Sequence, residues 1–274
     1  MSLNRTEVYT VRVFKIVFAA SAVLGCGFSQ PVISSGGVLN AASYQVGQAL
    51  APGSLVSIFG TGLSTATVAG DTIPLSAMIN QTSVTFNGVP APLLFVSTGQ
   101  VNAQLPWESL PQGVASGTVT VVVTDQGSSS APMTLQVAAL APGIFSIPSG
   151  AGYAVAINGD GSLAAPAGAI PGIATHPANV GDALILYANG LGPVDTPVND
   201  GAASLDKLRN TLTVPTVLVG GVSAKVFFSG LTPQFPGVNQ INFFVPQVTG
   251  GNSLPLQLSE NSITSTDKVV IAVN

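Results

Sequence analysis

Residues 52–63 read PGSLVSIFGTGL, and residues 180–191 read VGDALILYANGL. In both runs a turn precedes a short apolar strand pattern, and a Gly-Leu pair follows it. Two further motifs recur in the same order, namely NGVPA at 87–91 with GGVSA at 220–224, and QVN at 100–102 with QIN at 240–242. A repeat of this length predicts two copies of one structural unit.

Short apolar segments rich in β-branched and aromatic residues, bounded by Gly, Pro, Asn or Ser, dominate both copies. They predict strands at residues 55–59, 83–86, 93–96, 118–123, 133–137, 183–187, 216–219, 225–228, 240–245, 254–258 and 268–272. No stretch combines three helical turns of apolar periodicity with a cap. The sequence therefore predicts an all-β chain of two tandem antiparallel β-sandwiches, at residues 30–140 and 141–274, after a signal peptide at 1–29.

The two copies differ in their loops. The spacing between matching residues grows by seven from the pair Gly88 and Gly221 to the pair Gln100 and Gln240. The extra residues fall around 231–238, a segment rich in Pro and Gly, as a loop insertion should be. A function private to one copy is expected in such loops.

Composition favours a folded chain despite its low charge. Charged residues make up 7% of the 274 residues and hydrophobic residues 46%, with 31 Gly and 20 Pro. Disordered chains combine low hydrophobicity with high charge, which is the opposite balance.

The N-terminus has the pattern of an export signal. Arg5, Arg12 and Lys15 precede an apolar run at 16–26, and small residues follow, which predicts cleavage near Ser29. The run is too short to span a bilayer, which needs about 20 residues. A second interpretation treats VLGC at 23–26 as a lipobox that would acylate Cys26. Either way, the protein is predicted to be secreted or held at the cell surface, with no transmembrane helix after signal removal.

Charge and cysteine content narrow the partners. Without residues 1–29 the chain has four basic and ten acidic side chains, and no Lys or Arg lies between Lys15 and Lys207. A surface with so few basic side chains excludes a nucleic-acid partner. Cys26 is the single cysteine, so no intramolecular disulfide can form.

Two amide pairs are candidate contact residues. Gln100 and Asn102, like Gln240 and Asn242, alternate with apolar residues and so share one face of a strand. One hypothesis makes them a polar strip for a glycan or a peptide strand. The other has Asn102 and Asn242 bonding neighbouring loop backbone. Their presence in both copies favours the second hypothesis.

Trp107 is the single tryptophan, and its counterpart in the second copy is Gln247. A residue outside the shared frame is the best candidate for a surface aromatic in contact with carbohydrate or protein. Packing at the junction between the two copies is the alternative.

No catalytic, cofactor or metal residue is predicted. NGDGS at 158–162 lacks the later bidentate Glu of a calcium loop and is expected to be a hairpin turn. Asp195, Asp200 and Asp206 could share a cation, but separate solvated carboxylates are expected. His176, the single histidine, is expected on a surface loop, and no Gly-x-Ser-x-Gly motif is present. A paired-carboxylate glycosidase stays open.

Several long motifs occur in order: LNAASY at 39–44, LAPGSLVSIFGTGL at 50–63, APLLFV at 91–96, QVNAQLPW at 100–107, APGIF at 141–145, YANGLG at 187–192 and QIN at 240–242. Together they resemble the Solibacter-type C-terminal domain family of exported acidobacterial proteins. Residues 53–63 also resemble the opening strand of immunoglobulin-like IPT/TIG modules, which implies two tandem immunoglobulin-like antiparallel β-sandwich domains. The family has no known catalytic residues and no established activity, so the resemblance assigns no site residue.

The sequence thus predicts a non-catalytic exported protein that binds a glycan or protein partner through loops and strand edges. A structural spacer or self-assembling surface protein is the alternative, and a secreted hydrolase is the third.

Overall fold

The computed structural model describes residues 30–266 and 268–274. The predicted signal peptide and Cys26 lie outside the described residues. Within them the only helical element is a 3-10 turn at Trp107–Ser109. No helix of these residues has the length and apolar character needed to cross a membrane.

The first half of the chain, residues 30–140, forms two sheets from eleven strands. These are β1 (Val32–Asn40), β2 (Leu55–Thr61), β3 (Val68–Ala69), β4 (Met78–Ile79), β5 (Thr82–Phe86), β6 (Val89–Pro90), β7 (Leu93–Val96), β8 (Gln100–Gln104), β9 (Ser116–Asp125), β10 (Ser128–Ser129) and β11 (Met133–Ala138). One sheet has the order β1-β2-β8-β7-β3. The other has the order β10-β9-β5-β4, with β6 paired to β5 and β11 to β9.

The two sheets pack face to face through alternate residues. Val56 and Ile58 of β2 meet Val84 and Phe86 of β5 in one cluster of fully buried side chains. Strand alternation sends the residues between them to the outer faces. This is the architecture of a β-sandwich.

The second half, residues 141–274, forms one sheet of thirteen strands. These are β12 (Gly143–Ile144), β13 (Ser146–Ile147), β14 (Ala151–Ala154), β15 (Ala156–Ile157), β16 (Leu163–Ala164), β17 (Thr175–His176), β18 (Ala183–Asn189), β19 (Thr216–Val219), β20 (Val222–Leu231), β21 (Asn239–Phe244), β22 (Gly251–Glu260), β23 (Ile263–Thr264) and β24 (Lys268–Val273). Eleven of them form a continuous path in the order β13-β14-β24-β22-β19-β20-β21-β18-β15-β16-β17, while β12 pairs with β18 and β23 with β22 beside it. Strand β24 therefore lies inside the sheet, between β14 and β22.

The duplication is visible in the strand order. β2-β8-β7 and β5-β9-β11 of the first half correspond to β18-β21-β20 and β19-β22-β24 of the second. The copies differ at β20. This strand pairs with both β19 and β21, so the two sheets of the second sandwich are hydrogen-bonded into one continuous sheet. In the first half Pro90 and Pro92 interrupt the equivalent strand, because proline has no N–H for the ladder. The segment is accordingly split into β6 and β7.

The predicted fold class is confirmed: the described chain is all-β, and its largely antiparallel sheets form sandwiches. All eleven predicted strands are present within a few residues of their predicted ends. Two pairings are parallel, β14 with β24 and β16 with β17, which the sequence did not indicate. The division at residues 140 and 141 stays a prediction.

A buried amide network joins the two halves. Asn189 donates from Nδ2 to Oδ1 of Asn40 (2.9 Å) and to the carbonyl of Leu55 (2.8 Å), and accepts from the N–H of Leu55 (2.9 Å). Asn40 donates to the carbonyl of Ala141 (2.9 Å). Because both asparagines are fully buried, each of these bonds satisfies a group that water cannot reach.

The junction also needs glycine. At Gly190, with φ of +75°, a Cβ would lie 2.2 Å from the carbonyl oxygen of Ala141. The glycine of the repeated Gly-Leu pair therefore has a positive φ in both copies, +75° at Gly190 and +60° at Gly62. Ile144, close to this junction in sequence, is buried in the core of the second half.

Candidate functional site

The two predicted amide pairs lie on the outer faces of matching strands. Gln100 donates from Nε2 to Oδ1 of Asn102 (2.8 Å) on β8, and Gln240 donates to Asn242 (2.9 Å) on β21. All four side chains are half-buried, and the residues between them point into the cores. The expected bonds from Asn102 and Asn242 to loop backbone are not seen among the described residues. Each asparagine is bonded by the glutamine two residues before it.

Aromatic side chains flank the amide pair in the first half. Phe59 lies opposite Gln100 on β2, and Phe95 lies opposite Asn102 on β7. The ring of Tyr44 covers Phe59 at a centroid distance of 6.1 Å. These rings are half-buried, so the first face has little free aromatic surface.

The second half repeats this arrangement and adds exposed rings. Tyr187 lies opposite Gln240 on β18, where the ring of Phe235 meets it edge-on at 6.1 Å. Phe244 continues the outward row of β21, and its ring lies 4.7 Å from that of Phe227. We call Tyr187, Phe227, Phe235, Gln240, Asn242 and Phe244 the aromatic–amide face.

The exposed aromatic surface of the described chain is concentrated here. Three phenylalanines are more than a third exposed among residues 30–266 and 268–274: Phe227 (50%), Phe235 (51%) and Phe244 (38%). All three belong to the aromatic–amide face. Along β21 the row from Gln240 to Phe244 spans four residues, or about 14 Å.

The predicted loop insertion supplies one of these rings. The hydroxyl of Thr232 accepts from the N–H of Phe235 (3.0 Å) and donates to its carbonyl (2.9 Å), which fixes a tight loop after β20. Gly237 of the same loop packs against Leu55 of the first half. In the first half a short turn takes this place, closed by the N–H of Ser97 bonding to the carbonyl of Gln100 (2.7 Å). The insertion thus makes the second face different from the first.

Trp107 lies apart from both amide pairs, in a cleft between the two halves. Its backbone N–H donates to Oδ1 of Asp200 (3.0 Å). Its ring packs on Gly53, where a Cβ would lie 2.3 Å from the ring. The indole Nε1 is buried and has no partner among the described residues. The position of Trp107 fits both interpretations, packing at the junction and contact with a ligand, since the ring packs at the junction and also lines the cleft. Its counterpart Gln247 is exposed.

The cleft has a volume of about 480 Å³ and carries two carboxyl groups. Burial raises the pKa of Asp200 to about 6; the bond from the Trp107 N–H opposes this rise, and the charge and hydrogen bond of Glu108 add to it. Gln104 accepts from the N–H of Gly201 (2.6 Å) and so holds the segment that carries Asp200.

The other predicted acidic residues have separate contacts. Asp195 accepts from Asn210 (2.7 Å), which lowers its pKa, and Asp206 pairs with Arg209 (2.7 Å), which lowers the pKa of that carboxyl too. The structure does not bring Asp195, Asp200 and Asp206 together. No group of three or more His, Cys, Asp or Glu side chains suited to a metal forms among the described residues.

His176 lies on the short strand β17 and contacts the turn at 158–162. Its Nε2 lies 3.0 Å from Oδ2 of Asp160, and bonds from the Ser162 backbone and hydroxyl, then from His176, lower the pKa of Asp160 to about 2. The bond to the carbonyl of Pro177, followed by that to Asp160, raises the pKa of His176. The expected hairpin turn at 158–162 is present and connects β15 to β16.

Residues 42–137 match the model of the IPT/TIG domain. An IPT/TIG domain is therefore present in the first half. The match covers about a third of the chain, and the predicted Solibacter-type family is not confirmed by it. No curated protein matches the sequence.

Among solved structures, the chain is similar to a Bacteroides ovatus protein, the SGBP-B of a mixed-linkage glucan utilization locus in complex with a mixed-linkage heptasaccharide, at 14% identity and a TM-score of 0.32. That match covers 82% of this chain and 43% of the other, so the chain spans less than half of that protein. Two tandem immunoglobulin structures of titin match at 11% identity over 82% of this chain. They are covered to 90% and 62%, with TM-scores of 0.19 and 0.20.

Proposed function

We propose that this protein is an exported, non-catalytic binding module that recognises a neutral glycan through the aromatic–amide face of its second half. One observation carries the proposal. All exposed phenylalanines of the described chain converge on the sheet face that presents the Gln240–Asn242 pair. The glycan alternative is thereby favoured over a peptide strand, because the residues lie on a face and not at a sheet edge.

The chemistry of the face fits a sugar. Aromatic rings offer apolar surfaces on which the C–H faces of sugar rings can stack. The bond between Gln240 and Asn242 uses one donor and one acceptor, and leaves the glutamine oxygen and the asparagine NH₂ for ligand hydroxyls. None of the six residues is charged, so the ligand it suits is neutral.

The test uses the mature chain and a matched position in the other copy. Affinity electrophoresis and calorimetry against soluble glucans, mannans, xylans and chitin oligosaccharides would identify the ligand. The double variant Phe227→Ala/Phe244→Ala should then weaken binding at least tenfold, which corresponds to about 1.4 kcal/mol. Asn242→Ala should weaken it several-fold, whereas Asn102→Ala, at the equivalent position of the first copy, should leave it unchanged. Absence of binding to every glycan, or equal loss in the two asparagine variants, contradicts the proposal.

The proposed location is the cell surface or the extracellular space. The signal pattern of residues 1–29 supports export, and Cys26 offers a lipid anchor as the second interpretation. Mass spectrometry of the mature N-terminus distinguishes the two. An unmodified chain that starts at Gln30 excludes the anchor.

A second candidate function is self-assembly, as a spacer or surface layer. The stacked Phe227 and Phe244 favour it, because contiguous exposed apolar surface also serves contacts between copies. Light scattering should then show association that the double variant abolishes, and a strict monomer at high concentration contradicts this candidate.

The cleft supports a non-catalytic role rather than glycosidase action. The charge and hydrogen bonding of Glu108 help to raise the pKa of Asp200, so the two carboxyl groups lie next to each other. Carboxyl groups that cleave glycosidic bonds stand about 5 Å apart or more, because the sugar or a water lies between them.

A further proposal concerns the family to which the whole chain belongs. We propose that the chain belongs to the Solibacter-type family, on the motifs of both halves from LNAASY at 39–44 to QIN at 240–242. Strands β8 and β21 give the two Gln-x-Asn motifs matching positions, which supports a motif set that spans both copies.

A further inference from the structure

The cleft between the two halves is a second, chemically different site. Its walls come from the segment 107–114 after β8 in the first half and from residues 192–194 and 197–200 in the second. Its volume of about 480 Å³ lies within the range of small-molecule sites. The cleft does not overlap the aromatic–amide face, and none of its lining residues belongs to that face.

The walls of the cleft are mostly apolar. Four prolines contribute to them, together with Val114, Val194 and Val198: Pro52, Pro111, Pro193 and Pro197. Trp107 is held between Gly53 and the Asp200 carboxylate, which accepts its backbone N–H. Because proline rings fix φ, part of the wall is pre-organised, which lowers the entropy lost on binding.

The charge of the cleft is one-sided. Glu108 and Asp200 are the only titratable side chains that line it, and no Lys or Arg lines it. Among the described residues, the nearest basic side chain in sequence to Asp200 is Lys207, and Arg209 is already paired with Asp206. The two carboxyl groups are thus without a cationic partner in the cleft wall.

From the cavity, the indole and these carboxyl groups, we infer that the cleft binds a small organic cation, an ammonium group attached to an apolar body. The ammonium group would lie beside Glu108 and Asp200 and gain charge-assisted hydrogen bonds. The apolar body would pack against the prolines and valines. The Trp107 ring beside the carboxyl groups adds the attraction between a cation and an aromatic face.

The single tryptophan of the chain makes this inference directly measurable. Fluorescence of Trp107 would be titrated at pH 7.5 with phenethylammonium, 2-phenylethanol and phenylacetate, which share one body and carry positive, neutral and negative groups. Phenethylammonium should give a saturable change, 2-phenylethanol should bind at least tenfold more weakly, and phenylacetate should give none. Equal binding of all three probes, or no saturable change with the cation, overturns the inference.

Variants separate the local carboxyl groups from the general acidity of the chain. Glu108→Gln and Asp200→Asn should each weaken phenethylammonium binding five- to tenfold, and the asparagine oxygen can still accept the Trp107 N–H. Asp71→Asn removes the same charge from an exposed position outside the cleft and should leave binding unchanged. A loss in Asp71→Asn equal to that in Glu108→Gln overturns the inference, since long-range charge alone would then explain it. Because Glu108 is exposed, its variant should fold normally, which a thermal melt verifies.

The pH dependence gives a further readout. Asp200 has a pKa of about 6, and Glu108 is the other titratable group facing the cation from the cleft walls. Lowering the pH from 7.5 to 5.0 protonates Asp200 and should weaken phenethylammonium binding about tenfold. An affinity that stays constant over this range contradicts the assigned role of Asp200.

Discussion

At the scale of single residues, both copies have an acidic side chain at the same strand position, but only the first copy surrounds it with hydrogen-bond donors. Asp125 ends β9 and accepts from the hydroxyl of Thr82 (2.6 Å) and the N–H of Thr65 (3.0 Å). Glu260 ends the matching strand β22, is 3% exposed, and has an Oε2 without a partner among the described residues. Thr216 pairs with Ser259, so the residue in register with Glu260 is Pro215, which has no donor to replace Thr82.

Glu260→Gln should therefore stabilise the protein at neutral and alkaline pH. Burial raises the pKa of Glu260 from 4.5 to about 7, so the folded state binds more protons than the unfolded state between these values. Stability consequently falls as pH rises from about 4.5 to about 7. Urea unfolding at pH 8 should show a gain of about 1–3 kcal/mol for the variant, and a smaller gain at pH 5.

The matched variant Asp125→Asn should have the opposite sign. It places an NH₂ group where the carboxylate accepts two donors, and should cost about 1–2 kcal/mol. A Glu260→Gln variant that loses stability at pH 8 would show that the carboxylate has a stabilising contact.

At the scale of elements, five two-residue turns show one conformation with different sequences. The turns at 87–88, 126–127 and 220–221 place Gly at the second position, with φ of +81° to +84°. The turns at 80–81 and 261–262 place Gln81 (φ +62°) and Ser262 (φ +66°) there. Non-glycine residues pay a steric penalty in this region, so two of the five turns are strained.

Ser262→Gly should raise stability by about 0.5–1 kcal/mol. The reverse change at the matching turn, Gly127→Ser, should lower it by a similar amount. Thermal midpoints of the two variants measure both effects. No gain in Ser262→Gly would mean that the serine side chain contributes as much as the backbone strain costs.

The strands were predictable because their side chains alternate, and alternation is a local property. Val56 and Ile58 point to one face of the sheet and Ser57 to the other, because successive side chains of any strand alternate between its faces. Two-residue strands such as β12 and β17 could not be predicted in this way, since their pairing depends on distant partners. The parallel pairing of β14 with β24 is likewise set by the whole sheet.

The candidate site was predictable only in part. The Gln240–Asn242 pair follows from period-two alternation, and Phe244 could have been found as the next outward residue of the same row. Phe227 could not be found in this way, because the bulge between Val226 and Phe228 changes which side of the sheet the side chains of this strand point to. Trp107 was identified as unusual because its counterpart in the second copy, Gln247, is not aromatic. The cleft that it lines could not be predicted, because the cleft depends on how the two halves pack.

At the scale of the whole molecule, the junction is a folded interface and not a hinge. Asn189 occupies the position of Thr61 in the first copy, which is exposed at the end of β2. There the asparagine bonds both backbone groups of Leu55 across the junction. The two halves are therefore held in one arrangement by groups that would otherwise be buried and unpaired.

Asn189→Ala should cost about 3 kcal/mol, because it leaves the N–H and the carbonyl of Leu55 without these bonds. Thr61→Ala, the matched change, should cost less than about 0.5 kcal/mol. Calorimetry should show one unfolding transition in the native chain and two in Asn189→Ala. A single unshifted transition in that variant contradicts the coupling.

The position of β24 inside the second sheet sets the order in which the molecule can be completed. During synthesis the chain emerges from its N-terminal end, so the strands of the first half are all available before residue 141. The second half must wait for residues 268–273, because β24 fills the gap between β14 and β22. Until those residues emerge, the first sandwich can be finished while β14 and β22 of the second half keep one unpaired strand edge each.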